Sequence, residues 1–186
     1  RPLLSVMFAQ PGSKASELLG QTAYTQCALF ALEVSMARLW QSWGLEPDFL
    51  MGHSIGELSA ACVGGVFSLE DAAALVGARG RLMQGCRDDG GMLSIEASEQ
   101  EVRALLADGT VGLDVAGING PRQTVVSGDH TAIDVAAQHF EGLGRKVRRL
   151  AVSHAFHSEH MDAMLEAFGQ VAQGCTYHPA QIPIVS

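Results

Sequence analysis

Gly52-His53-Ser54-Ile55-Gly56 sets a serine between two glycines, directly after the strand-like run Asp48-Phe49-Leu50-Met51 and directly before a helical pattern. This spacing predicts a nucleophile elbow. The turn from strand to helix is tight enough that both flanking positions are expected to need glycine, and it pushes the serine oxygen into the open. The helix that follows would aim its first backbone N–H groups at negative charge developing beside Ser54. Such a serine could attack any ester or thioester.

Arg79 is the second residue whose placement suggests chemistry. Counting about 100° per residue from Ala72, residues Leu75, Val76, Leu82 and Met83 form one apolar stripe, and Arg79 falls at its centre, with Arg81 pointing the opposite way. A guanidinium on a buried face is costly unless it is paired. Two readings follow: a salt bridge to an internal carboxylate, or a bidentate clamp for the carboxylate or phosphate of a substrate.

A serine at its ordinary acidity also needs a base. Seven histidines compete for that role. His154, His157 and His160 stand at three-residue spacing, which would suit a metal on a helix, but no further ligand or orienting carboxylate stands at a convincing distance, and no metal is expected. The loop Ser153-His154-Ala155-Phe156-His157-Ser158 is the better source of a base for Ser54, without the residues alone saying which histidine supplies it.

The elements that must position these groups alternate along the chain. Leu29, Leu32, Met36, Leu39, Trp40 and Trp43 recur at helical spacing, and Gly44 with Pro47 ends that helix before the elbow strand. Ser68-Leu69-Glu70-Asp71 resembles a capping box with Asp in place of Glu and opens a helix to about Gln84. After Asp88-Asp89-Gly90-Gly91 comes a strand at 92–97, a capping box Ser98-Glu99-Gln100-Glu101 with a helix to Leu106, strands near 115–118 and 124–127, a helix around 131–140 and a strand at 146–152. That β-α-β-β-α-β order predicts a ferredoxin-like subdomain at 90–152, inserted into a larger subdomain made of 1–89 and 153–186.

Composition sets outer bounds. A chain of 186 residues with net charge −8 is no nucleic-acid binder, since neutralising phosphates needs clustered Lys and Arg. The four cysteines show no C-x-x-C spacing, and there is no signal-like or membrane-spanning run, so reduced, structural cysteines in a cytoplasmic protein are expected. Arg145-Lys146-Val147-Arg148-Arg149 would suit an acidic partner or phosphates, but a solvated strand edge is the commoner use of such a run.

Six stretches together carry a resemblance: Thr22-Ala23-Tyr24-Thr25-Gln26, Gly52-His53-Ser54-Ile55-Gly56-Glu57, Ala78-Arg79-Gly80-Arg81-Leu82-Met83, Gly91-Met92-Leu93, Asn119-Gly120-Pro121 and Ser153-His154-Ala155-Phe156-His157-Ser158. The ordered set resembles the acyltransferase domain of polyketide synthases, which is similar to malonyl-CoA:acyl carrier protein transacylases. The resemblance implies an α/β-hydrolase-like core with a parallel sheet and an inserted ferredoxin-like subdomain. It implies Ser54 as the acylated nucleophile, His157 as general acid and base, Arg79 as the clamp on the extender carboxylate, half of the oxyanion hole from the Ile55 N–H, and Gln26 and His53 lining the pocket.

The same family suggests the substrate. Ile55 after the serine and the His154-Ala155-Phe156-His157 loop resemble malonyl-selective members, with Phe156 filling the space a methyl branch would need. The implied partners are malonyl-CoA, an acyl carrier protein with its phosphopantetheine, and neighbouring synthase domains, with no permanently bound cofactor. Members of the family usually carry a Gly-Gln-Gly element after an N-terminal strand, of which Ala9-Gln10-Pro11-Gly12 is only an echo, and continue past a strand like Ile182-Pro183-Ile184-Val185-Ser186. The chain is therefore expected to be the central part of a domain in a larger synthase. A serine hydrolase with a similar elbow, or an inactive piece of the synthase, remains the alternative.

Overall fold

The computed structural model describes residues 1–107, 109 and 111–186. Along the chain run α1 (Leu3–Met7), a 3-10 turn (Ser16–Gly20), α2 (Thr22–Ser42), β1 (Leu50–Met51), α3 (Ile55–Val63), α4 (Leu69–Gln84) and β2 (Gly90–Ile95). They are followed by α5 (Glu99–Leu106), β3 (Leu113–Gly120), β4 (Gln123–Asp129), α6 (His130–Gly142), β5 (Val147–Arg149), a 3-10 turn (Glu159–Met161), α7 (Asp162–Gln173) and β6 (Ile184–Val185). Two compact units result: Arg1–Gln84 with Glu166–Ser186, and Gly85–Leu165.

The first unit is the α/β-hydrolase-like part. Its parallel pair sets Leu50 opposite Ile184 and Met51 opposite Val185, so the elbow strand is two residues long rather than the four expected. Phe30 and Val34 of α2, Ile55 of α3, Phe67, and Ala72, Leu75 and Val76 of α4 form its core, with Phe168, Val171 and Ala172 of α7 against them. The face of α2 that packs is Thr22, Gln26, Phe30 and Val34. The periodic residues Leu29, Leu32, Met36, Leu39, Trp40 and Trp43 lie on the exposed side, from 40% for Leu29 to 68% for Trp43. Periodicity thus identifies the helix, but the packed face is a second one, polar at Thr22 and Gln26 and apolar at Phe30 and Val34. Gly44, at φ 84°, ends the helix, with Leu45 N–H returning to the Trp40 carbonyl.

The second unit is the ferredoxin-like subdomain. Its strands lie in the order β3-β4-β2-β5, every neighbour antiparallel. Leu93, Ile95 and Val126 point to one face, where Val102 of α5 and Ile133, Ala136, Ala137 and Phe140 of α6 close over them. The Ser98 capping box forms in both directions: Glu101 N–H donates to Ser98 Oγ and Ser98 N–H donates to Glu101 Oε2.

Some expectations shift in detail. The Ser68 cap is half a box, because Asp71 N–H donates to Ser68 Oγ while the Asp71 carboxylate accepts from Thr176 N–H instead. The last strand of the subdomain is β5, three residues long, extended by one bond from Leu150 N–H to the Met92 carbonyl. Residues 85–89 and 153–165 go with the second unit rather than with the first, since Arg87, Asp89 and His160 are bound to Asp129 or to one another there. In the basic run, Arg145 pairs with Glu101 and Arg149 with Asp134, so these two cations are held within the subdomain. Among the described residues no helix is long and apolar enough to cross a membrane.

Candidate active site

The first unit builds the elbow from steric constraint. A Cβ on Gly52 would lie 2.1 Å from the Gly56 carbonyl carbon, which no backbone shift of a few tenths of an ångström relieves. Gly56 differs from the expectation: a Cβ there would meet nothing closer than Glu33 Oε2 at 4.0 Å. Only the N-terminal glycine is required, because the chain crosses itself at Gly52 while Gly56 already lies in α3. Between them Ser54 takes φ 56° and ψ −112° as the residue before the helix, and its side chain makes no capping bond. The hydroxyl is therefore not used to cap α3. Gly56 and Glu57 N–H turn back onto the His53 and Ser54 carbonyls, and the Ile55 N–H is the first backbone donor of α3. The Ile55 side chain is buried in the core, and His53 is exposed.

Arg79 reaches this serine from α4. A Cβ on Gly80 would sit 3.1 Å from Ala23 Cα, so Gly80 permits the close approach of α2 and α4 that sets Gln26 beside Arg79. Arg79 Nη1 donates to Gln26 Oε1 at 2.6 Å and Nη2 donates to Ser54 Oγ at 3.2 Å. Among the described residues no carboxylate pairs with it. Burial pulls the guanidinium below its ordinary value, with desolvation as the cause, yet an arginine keeps its proton at neutral pH. Of the two readings of Arg79, the internal salt bridge is the one without a partner here.

Gln26 is itself 5% exposed and fully engaged, its Nε2 donating towards Thr22 Oγ1 at 3.1 Å and Met83 Sδ at 3.2 Å. Thr22 and Met83 are thus supporting residues that sequence reasoning did not single out for this role. The signal was present for Thr22, which lies four positions before Gln26 on α2, but not for Met83, which meets Gln26 from 57 residues away.

The histidines separate cleanly. Among the described residues the non-glycine positions with left-handed φ are Ser54 at 56° and His157 at 60°. Such a backbone costs about 1–3 kcal/mol and clusters at functional sites. His154 is buried with Nδ1 at 2.8 Å from Ser153 Oγ, and its ring lies 5.7 Å from that of Phe156. His160 is buried too, with Nε2 at 3.0 Å from Asp129 Oδ1. His157 is the exposed member of the three. The three do not gather around one point; instead His160 groups with Asp89 and Asp129, whose carboxylates the Arg87 guanidinium already bridges. The first unit therefore joins Ser54, Arg79 and Gln26 with Ile55 adjacent, and the second carries His157 and Phe156.

A serine on a strained elbow, a backbone donor at a helix start and a half-buried, carboxylate-free arginine suit acyl transfer with an anionic acyl group. A family model of the acyl transferase domain matches residues 3–186. The chain belongs to the acyl transferase domain family. The spectinabilin polyketide synthase system protein NorB of Streptomyces orinoci is 50% identical over 186 residues, covering 100% of this chain and 9% of that protein. The acyltransferase domain from the second module of the salinomycin polyketide synthase superposes with a TM-score of 0.93 at 49% identity, covering 100% of this chain and 43% of that one. The malonyl CoA-acyl carrier protein transacylase (fabD) of Coxiella burnetii gives a TM-score of 0.90 at 29% identity, over 98% of this chain and 59% of that one. The acyl transferase chain thus spans 9% of its spectinabilin relative and less than two thirds of either solved neighbour.

Proposed function

We propose that this acyl transferase moves a malonyl unit from CoA to Ser54 and from there to the phosphopantetheine thiol of an acyl carrier protein, as part of a polyketide synthase whose neighbouring domains use the product. The observation that carries the reading is Arg79, a half-buried cation bound to the neutral Gln26 and to Ser54 Oγ. A fixed cation 3.2 Å from the nucleophile selects an acyl group with a free carboxylate near its reacting carbonyl.

The chemistry runs in two matched halves. His157 takes the Ser54 proton, the oxygen attacks the malonyl thioester, the Ile55 N–H donates to the developing oxyanion, and the CoA thiolate leaves with the proton from His157. The carrier thiol then gives its proton to His157, attacks the malonyl ester and returns Ser54 with a proton. Arg79 moves from Ser54 Oγ to the malonyl carboxylate when substrate binds. Phe156 favours malonyl over methylmalonyl by the ~1–3 kcal/mol that one methylene is worth, which makes a preference rather than an exclusion, while Ile55, its side chain buried in the core, contributes through its N–H. Similarity to a malonyl CoA-acyl carrier protein transacylase supports the same substrate.

Intact mass after incubation with malonyl-CoA tests the reading. The expected result is one malonyl adduct that is absent in Ser54→Ala, is strongly slowed in Arg79→Ala and disappears on addition of carrier protein. A folded protein that takes no adduct on Ser54 would refute it.

A further inference from the structure

The segment that carries His157 is closed on itself and tied to the subdomain at several points by the residues on either side of His157. Ser158 Oγ donates to the Ala155 carbonyl at 2.7 Å and accepts from His160 N–H at 3.3 Å, which closes a turn around His157. Glu159 N–H donates to Asp114 Oδ2 at 3.1 Å. The His160 side chain, 1% exposed, then reaches Asp129 Oδ1 at the end of β4 with its Nε2 at 3.0 Å. Asp129 does not stand alone: Arg87 Nη2 donates to it at 2.7 Å, while Arg87 Nε and Nη2 donate to the two oxygens of Asp89 at 2.6 and 2.9 Å.

Gly90 is the floor of this arrangement. It pairs with Asp129 across β2 and β4, and a Cβ on it would fall 2.6 Å from His160 Cε1 and 2.8 Å from Ala155 Cβ. Both ends of the turn around His157 therefore rest on one glycine. His160 is too buried to meet a substrate, and its Nε2 meets the half-exposed carboxylate of Asp129, which Arg87 also holds.

We propose that His160 is a positioning residue: bound to Asp129 and seated on Gly90, it holds the turn in which His157 keeps its left-handed backbone. This inference rests on the proposed role of His157 as general acid and base. Without the His160 bond the turn relaxes, and the base loses its alignment for proton transfer. A misplacement of about 1 Å at such a group costs up to ~100-fold in rate.

Single-turnover acylation by malonyl-CoA, followed by intact mass on the full chain, separates positioning from folding. For His160→Ala the rate constant is expected to fall about 10- to 100-fold, while the final fraction of Ser54 acylated and the half-saturating malonyl-CoA concentration stay as in the wild type. His160→Gln, whose amide can still donate to Asp129, is expected to recover to within about 3-fold of the wild type. A wild-type rate in His160→Ala, or a His160→Gln as slow as the alanine variant, would overturn the proposal. Should His160→Ala fail to fold, Asp129→Ala, which removes the acceptor of the His160 bond, decides: acylation slows several-fold at full final labelling, and an unchanged rate overturns it. Failure of the underlying reading looks different, since the wild type would then not acylate, or His157→Ala would acylate as fast as the wild type.

Discussion

Ser54 and His157 share a left-handed backbone, but the two units hold them in it by different means. Around Ser54 the constraint is backbone against backbone, with Gly52 against Gly56 and α3 starting at once. Around His157 it is a turn closed by side chains, with Ser158 on Ala155 and His160 on Asp129. A steric constraint tolerates no added atom, whereas a hydrogen-bonded one degrades in steps as its partners are weakened. Ser54 is thereby placed by the covalent path of the chain, and His157 by residues that can be tuned one at a time.

The comparison breaks first at Gly52. Gly52→Ala is expected to destabilise the protein by more than about 3 kcal/mol and to abolish labelling of Ser54, read by urea unfolding and by intact mass. A stable, acylating Gly52→Ala protein would end the steric account of the elbow. Arg79→Ala comes next. Removing it is expected to cost malonyl transfer ~2–5 kcal/mol, about 30- to 4,000-fold in kcat/KM, by analogy with truncating one partner of a buried charge pair, while transfer of an uncharged acetyl group changes little. Equal losses for both acyl groups would mean that Arg79 holds the serine rather than the substrate.

Two smaller effects sharpen the contrast. Ser98→Ala removes the cap of α5 and is expected to cost ~1 kcal/mol in urea unfolding, an effect confined to the second unit. The backbone and side-chain hydrogen bonds of Ser98 hold the Glu101 carboxyl below its ordinary value. A depressed carboxyl adds stability above its unfolded value, and that share is lost as pH falls through the lowered folded value; an acid titration of Ser98→Ala should show this step reduced but still present, because the backbone N–H of residue 98 still donates to Glu101. Gly56→Ala is expected to be the smallest change, neutral or stabilising by up to about 1 kcal/mol, because α3 gains a better helix former in open space. A loss of more than about 1 kcal/mol would restore the symmetric elbow that the motif alone suggests.

Much of the fold was legible because its signals are local. The Ser98 box, the Leu69–Gln84 helix and the β-α-β-β-α-β succession of elements along the subdomain follow from residues within about one turn of one another. The packed face of α2 was not legible. A hydropathy stripe through Leu29, Leu32, Met36, Leu39 and Trp40 marks the apolar side of the helix, while close packing on α4 selects the side with Thr22 and Gln26. Gly56 misled for a related reason: a motif shows that two glycines recur, but only the path of the chain shows which one is crossed. The three histidines at equal spacing likewise diverged, His154 and His160 into buried hydrogen bonds and His157 to an exposed strained position.

By itself the sequence determined the serine between its glycines, the arginine on an apolar helix face, the caps and the alternation of elements. Each of these depends on neighbours a few residues away and on steric rules that hold in any fold. The tertiary structure decided that Arg79 meets Gln26, 53 residues distant, instead of an internal carboxylate, and that Gly80 against Ala23 makes the meeting possible. It also decided which histidine carries strain and which one is seated on Gly90 and Asp129. Those outcomes hang on how helices and strands far apart in the chain approach one another, and that approach is set by packing that no local pattern encodes.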